Sequence, residues 1–146
     1  MAQRAQAEEE LRRLSMEMRY LEQTADALQQ RISMVNAALT DINYANMTLD
    51  GIEKEKENSE LLIPIGGSSY VKVKLADSDK VIIGLGSGVS VEQTLPQAKA
   101  TLKERLDELE KTMHAAQQQF SQVAERINSG RSRLENMLAS VREGTH

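Results

Sequence analysis

Two stretches of the chain carry apolar residues in steps of four and three without a break, and no other feature limits the fold as much. In the first arm, residues 7 to 49, they fall at Ala7, Leu11, Leu14, Met18, Leu21, Ala25, Leu28, Ile32, Val35, Leu39 and Ile42, and the frame continues through Asn46 to Leu49. In the second, residues 95 to 141, they fall at Leu102, Leu106, Leu109, Met113, Ala116, Phe120, Val123, Ile127, Gly130, Leu134, Met137 and Val141. A 3.5-residue repeat of this length implies a left-handed supercoil, not a helix lying on a globular core. No Gly or Pro interrupts the first arm up to Leu49, which as a helix rising 1.5 Å per residue is roughly 65 Å long. A stripe of this kind must be covered by a partner helix, so the Leu and Met side chains of the arm are read as seam packing.

The repeat from 99 to 141 has the same length as that from 7 to 49, and the two flank a compact insert, as an antiparallel hairpin requires. Antiparallel seams pair a with d, so the numbers of paired residues have a constant sum. A sum of 148 sets Leu14 beside Leu134, Leu28 beside Phe120 and Leu39 beside Leu109. It also sets large against small: Ile32 with Ala116, Val123 with Ala25, Met18 with Gly130. That alternation fills a seam. Gly130 costs about 1 kcal/mol relative to Ala inside a helix. It is read either as a gap that accepts Met18 or as a point beyond which the arm loosens. The tail Glu143-Gly144-Thr145-His146 is expected to fray.

Between the arms the periodicity changes. Residues 50 to 60 are a charged link, in which the helix ends at Gly51 or runs one polar turn further, to Lys56; Asn58-Ser59 reads as a turn. From Leu61 to Leu95 the chain alternates in short runs. Leu61–Ile65 contains Pro64, which cannot donate to a ladder and so marks an edge strand or a strand end. Val71, Val73 and Leu75 share one face opposite Tyr70, Lys72 and Lys74. Gly66-Gly67, Asp77-Ser78-Asp79 and Gly86-Ser87-Gly88 are turn signals, and four strands at this spacing make two β-hairpins. Gly84, Gly86 and Gly88 imitate a phosphate loop, but a strand follows them where such a loop needs a helix N-terminus. Thr94, with Gln97 three residues on, marks a capped helix start. The chain thus divides into an N-terminal coiled-coil helix (1–57), two β-hairpins (58–94) and a C-terminal coiled-coil helix (95–146). The fold class is α+β: a long antiparallel coiled-coil hairpin with two β-hairpins inserted. The insert buries too little apolar area to stand alone and leaves unpaired strand edges, so other chains are expected to complete it.

Composition narrows the functions. The chain has 146 residues, 3% aromatics, no Cys and a net charge of -4. It has no thiolate metal site, and His114 and His146 alone cannot make a structural zinc site. The net charge and the mixed signs along both arms argue against nucleic acid and anionic membrane as partners. No apolar run is long enough to span a bilayer, and the N-terminus lacks a signal-type apolar stretch, so a cytoplasmic protein is expected. No acid, base or nucleophile cluster suggests an enzyme, and no cofactor is expected; His114 falls one residue after a seam position.

The block LLIPIGGSSYVKVKL, then DSDKVIIGLGSGVSVEQT, then the helix opening at Leu95-Pro96-Gln97-Ala98, resembles the α-type subunits of prefoldin, in their archaeal form. The resemblance covers the whole chain. It implies an ATP-independent holdase chaperone: a heterohexamer of two α-type and four β-type subunits, joined through an oligomeric β-barrel. Coiled-coil tips would hold unfolded client proteins and pass them to a group II chaperonin. On this sequence the resemblance places client contacts at Ala7, Leu11, Leu14, Leu134, Met137 and Val141. It places assembly contacts at Val71, Val73, Leu75, Val81, Ile83, Leu85, Val89 and Val91. A structural coiled-coil adaptor that reuses the same base in another assembly is the alternative.

Overall fold

The computed structural model describes residues 2 to 143; Met1 and Gly144 to His146, on which most of the expected fraying falls, lie outside the described residues. The elements run in the order α1 (Ala2–Glu53), β1 (Glu60–Gly66), β2 (Ser69–Lys74), β3 (Lys80–Gly86), β4 (Val89–Thr94) and α2 (Leu95–Glu143). The two long helices and the two hairpins between them are the architecture read from the sequence. Two compact units result. One joins the chain up to Asn36 with the chain from Lys111 onward; the other is Ala37–Glu110.

The heptad frame accounts for the burial along both helices. Every a and d position from Ala7 to Leu49 and from Leu95 to Val141 is buried or half-buried, including the polar Asn46 and Lys99. In the first unit Met18 and Gly130 meet: a Cβ on Gly130 would overlap the Met18 Sδ. This is the contact required when paired numbers sum to 148. Arg131 and Glu22 form an exposed ion pair at 3.7 Å across the same two helices. The expectation for the methionines is corrected. Of Met16, Met18, Met34 and Met47 only Met18 lies in the seam, and the other three are exposed. They occupy b, c and f positions, which a two-helix seam does not reach.

The second unit begins where α1 stops. The helix passes Gly51 by two residues and ends at Glu53. Lys54 N donates to Gly51 O and Glu55 N to Ile52 O, and Asn58 turns the chain with φ 67°. Each hairpin is its own two-stranded antiparallel sheet. β1 pairs with β2 from Glu60↔Lys74 to Gly66↔Ser69, and β3 with β4 from Lys80↔Thr94 to Gly86↔Val89. Pro64 sits inside β1 opposite Tyr70; in a two-stranded sheet every strand is an edge, so its missing N–H breaks no central ladder. Gly86 and Gly88 both take positive φ, 102° and 77°, as the hairpin-turn reading of those glycines requires. At the start of α2 the capping box is complete: Gln97 N donates to Thr94 Oγ1 and Thr94 N to Gln97 Oε1, at 3.3 and 3.2 Å.

The Met18–Gly130 contact gives a test of register. Gly130→Leu forces a branched side chain into the space Met18 fills and should lower stability by about 1–3 kcal/mol. Adding Met18→Ala should recover part of that loss, read from thermal melts by circular dichroism. No coupling between the two substitutions would show that they do not face each other.

Candidate interaction sites

At the base, Leu49 of α1, Ile83 of β3 and Leu95, Ala98 and Leu102 of α2 are buried together, with Ile42, Ala45 and Val81 packed against them. The frame delivers Leu49, Leu95 and Leu102 to one side of the helix pair, and the strand alternation delivers Val81 and Ile83 to the matching side of β3. Polar ties flank this core. Arg105 donates from Nη2 to the Gly84 carbonyl at 2.6 Å. The Thr101 hydroxyl lies 3.1 Å from Gln93 Oε1 and 3.0 Å from the Gln97 carbonyl, and donates to one at a time. Lys99 bridges Asp50, at 3.0 Å, and Glu53, so α2 grips the last turn of α1. Hydrogen bonds to Glu53 first and Asp50 second hold the Lys99 ammonium above its ordinary pKa of 10.5.

The eight strand residues singled out for assembly do not share one environment. Ile83 and Val81 belong to the chain's own core. Val73, Leu75 and Val91 are half-buried. Val71, Leu85 and Val89 are exposed, and so are Leu62, Ile63, Ile65, Tyr70 and Ile82, which the sequence reading passed over. Leu62, Ile63 and Ile65 stand in an apolar run around a proline, where alternation gives no facing. Burial of Ile83 against α2 is a tertiary fact that no local pattern carries.

At the free ends of the helices, Ala7, Leu11, Leu14, Leu134, Met137 and Val141 are all half-buried. Ala7, Met137 and Val141 line an open groove of about 520 Å³ together with Gln3, Arg4, Glu10, Arg133, Asn136 and Ser140. Leu14 and Met137 meet in a smaller groove beside it, also lined by Glu10 and Arg133. Leu11 and Leu134 line neither groove. Leu138, outside the heptad frame, is exposed in the same stretch. The seam thus closes incompletely at its end, leaving apolar carbon accessible between the two helices. Among the described residues no group of His, Cys, Asp or Glu is placed to hold a metal ion, and no helix is long and apolar enough to cross a membrane.

The family model described as Prefoldin subunit matches residues 21–139. A prefoldin subunit alpha of Methanococcoides burtonii is 30% identical over 130 residues, covering 89% of this chain and 94% of that protein. One of Pyrococcus horikoshii is 32% identical over 124 residues, 84% of each. Among solved structures, filamentous PFD from Methanocaldococcus jannaschii superposes with a TM-score of 0.65 at 20% identity, over 76% of this chain and 92% of that one. The prefoldin beta subunit from Thermococcus strain KS-1 gives 0.58 at 18%, over 87% and 90%.

The Lys99 bridge has a defined pH dependence. A cation whose pKa is raised on folding contributes stability that is complete below its unfolded value and lost as pH climbs through the higher folded value. Lys99→Gln should therefore melt below the parent chain from neutral pH up to 10.5, and the gap should close above it. A gap unchanged at still higher pH would remove the ammonium from the account.

Proposed function

The chain belongs to the prefoldin family of chaperone subunits, and from that premise we propose that it is a holdase subunit that captures non-native polypeptide at the free ends of its helices. It assembles with other prefoldin subunits; the proposed form is a heterohexamer of two such chains with four β-type subunits. The proposed setting is the cytoplasm, and the proposed receiver of the client is a group II chaperonin. Capture needs no nucleotide in this reading, because weak apolar contacts release on their own.

The observation that carries the reading is the groove over Ala7, Met137 and Val141. Ala7, Met137 and Val141 give it apolar carbon, so it favours exposed hydrophobic side chains, which a non-native chain offers and a folded one hides. Methionine adapts to irregular partners. Arg4, Glu10 and Arg133 around it keep the end hydrated when no client is bound. One such groove binds weakly. Several held in one assembly raise the effective concentration of the second contact and give avidity without tight single sites. The clamped base, with Ile83 on the helix pair and Lys99 across it, suits a chain that must keep its helices paired while joining others.

Aggregation of a chemically denatured client, followed by light scattering with the assembled complex, tests the proposal. The intact complex should suppress aggregation. A complex lacking residues 1–14 and 131–146 should still assemble and lose most of that protection. Met137→Ser with Val141→Ser should weaken it about tenfold, as expected when a binding surface loses its main apolar anchors. Equal protection by the truncated complex would leave a structural adaptor as the better description.

A further inference from the structure

Arginine and lysine are segregated along this chain. Every Lys lies from Lys54 to Lys111, and every Arg except Arg105 lies outside that span. The unit made of the chain up to Asn36 and from Lys111 onward therefore carries its positive charge as arginine, apart from Lys111 itself. Acidic residues follow no such division: Glu8, Glu9 and Glu10 stand in that unit, and Glu53, Glu55 and Glu57 in the other. Neither the helices nor the charge asks for this. Arg and Lys have nearly equal helix propensity, and either keeps a surface hydrated. Ion pairing within the chain asks for it little more. Arg4–Glu8 at 3.8 Å and Arg131–Glu22 at 3.7 Å are long and exposed, contacts in which Lys would serve as well. What sets arginine apart is contact with a partner. Its guanidinium is flat, weakly hydrated and forked, so it meets a carboxylate through two parallel hydrogen bonds; an ammonium is a compact, strongly hydrated point charge. Arginine is accordingly enriched, and lysine depleted, where proteins touch others.

One of these arginines stands against the apolar residues at the helix ends. Arg133 lines the groove of Ala7, Met137 and Val141, the smaller groove beside it, and a third that it shares with Leu14, Met18 and Leu21. Among the described residues it has no ion pair. In the smaller groove Arg13 and Arg133 are balanced by Glu10 and Glu17. In the larger one Arg4 and Arg133 stand with Glu10 alone, so positive charge is in excess beside apolar carbon. The spacing is regular. Arg133, Met137 and Val141 recur every four residues on α2 and follow one another along one face. Four helical residues rise about 6 Å. An extended peptide presents side chains on one side at every second residue, about 7 Å apart. A peptide lying along α2 with an apolar side chain on Met137 therefore brings its residue two positions away level with Arg133.

We infer that the groove selects among non-native polypeptides, taking extended segments in which a carboxylate stands two residues from an apolar side chain, and that Arg133 reads the carboxylate. This selection rests on the capture proposed above and names the class of segment captured. The apolar side chain covers Met137 and Val141, and the carboxylate gives Arg133 the partner it lacks within the chain. Charge complementarity fixes the preference. A lysine at that place in the segment meets Arg4 and Arg133, and a neutral amide forms no charge-assisted bond. Carboxylates without apolar neighbours engage the arginine and leave Met137 and Val141 uncovered.

Peptide titrations into the isotope-labelled full chain, followed by the amide shifts of Met137 and Val141, test this. The probe is a short unstructured peptide containing leucine, made with glutamate, glutamine or phenylalanine two residues from the leucine. A fourth version keeps the glutamate and has serine for leucine. The glutamate version should bind about fivefold more tightly than the glutamine version at low salt, as expected for one exposed charge-assisted contact, and high salt should shrink the gain. Arg133→Lys should cut that ratio to about twofold and Arg133→Gln to about one. A ratio near one in the parent chain, or a fivefold ratio that survives both substitutions, would overturn the inference and leave capture standing. So would an equal gain from phenylalanine, which would make the arginine a stacking surface, or equal binding of the serine version, which would make the groove a reader of charge alone. Absence of any shift at Met137 and Val141 with the leucine peptides would overturn the capture reading as well.

Discussion

Burial of one apolar stripe on each helix is the constraint on which the rest depends. A 3.5-residue stripe exposes its whole length to water unless a second helix covers it, and short local helices of this composition would be marginal in isolation. Once the stripes pair, the stagger is fixed by a few positions where ordinary Leu-on-Leu packing fails. Met18 fits only opposite a residue without a side chain, and Gly130 supplies it. Lys99 occupies a seam position and reaches Asp50 and Glu53 only at one stagger. Leu seams tolerate slippage; a glycine notch and a charged seam residue do not, because a slip overlaps a sulfur in one place and strands an ammonium in the other.

The stagger determines what the insert can do. It brings Leu49 of α1 together with Leu95, Ala98 and Leu102 of α2, and Ile83 packs into that place. Two helices ending in mismatched stagger would offer no such place. The second hairpin is therefore part of the helix pair's own core. The first hairpin follows from the same local rules, with the same bulge and turn, but the buried cluster takes in Val81 and Ile83 of the second hairpin and, among the described residues, none of the first. Its apolar residues remain accessible for that reason and not because its sequence is a weaker strand former: Val71, Val73 and Tyr70 are good strand residues.

Much of this was legible in the residues, and the limit has a physical cause. The heptad frame, the turn glycines, the capping box at Thr94 and Gln97 and the notch at Gly130 are local signals, each set by neighbours a few residues away or by a long periodic pattern. The structure places all of them where those signals point. What escaped was the difference between Ile63 and Ile83. Both lie in apolar runs before a glycine, and no local rule separates them. Only Arg105, Thr101 and the small Ala98, all on α2, do so. The methionines failed for the opposite reason: the repeat was generalised to residues outside it, although Met16, Met34 and Met47 do not fall on the frame. The duplication at twenty residues was present in Ile63/Ile83, Gly66/Gly86, Val71/Val91 and Leu75/Leu95, but four identities scattered through alternating residues do not stand out from strand composition alone.

The two kinds of exposed apolar surface on this chain differ in what they can recognise, and the difference lies in the backbone. Beside Ala7, Met137 and Val141 the main chain is helical, its N–H and C=O groups away from the first and last turns are paired within the helix, and the groove offers side chains, apolar carbon among polar and charged neighbours. Such a surface has no backbone spacing to match, so its affinity follows first the apolar area of whatever enters. Along β1 and β2 the outer backbone groups have no strand partner within the chain, so a ligand must match spacing and polarity as well as hydrophobicity. A mismatch there leaves polar groups desolvated and unbonded, at a cost of about 1–3 kcal/mol each. Helical ends therefore suit capture of many sequences, and strand edges suit one partner fold. A subunit that must hold unrelated polypeptides while joining a defined assembly needs both, and here they arise from one choice made twice: whether the backbone is satisfied before the partner arrives.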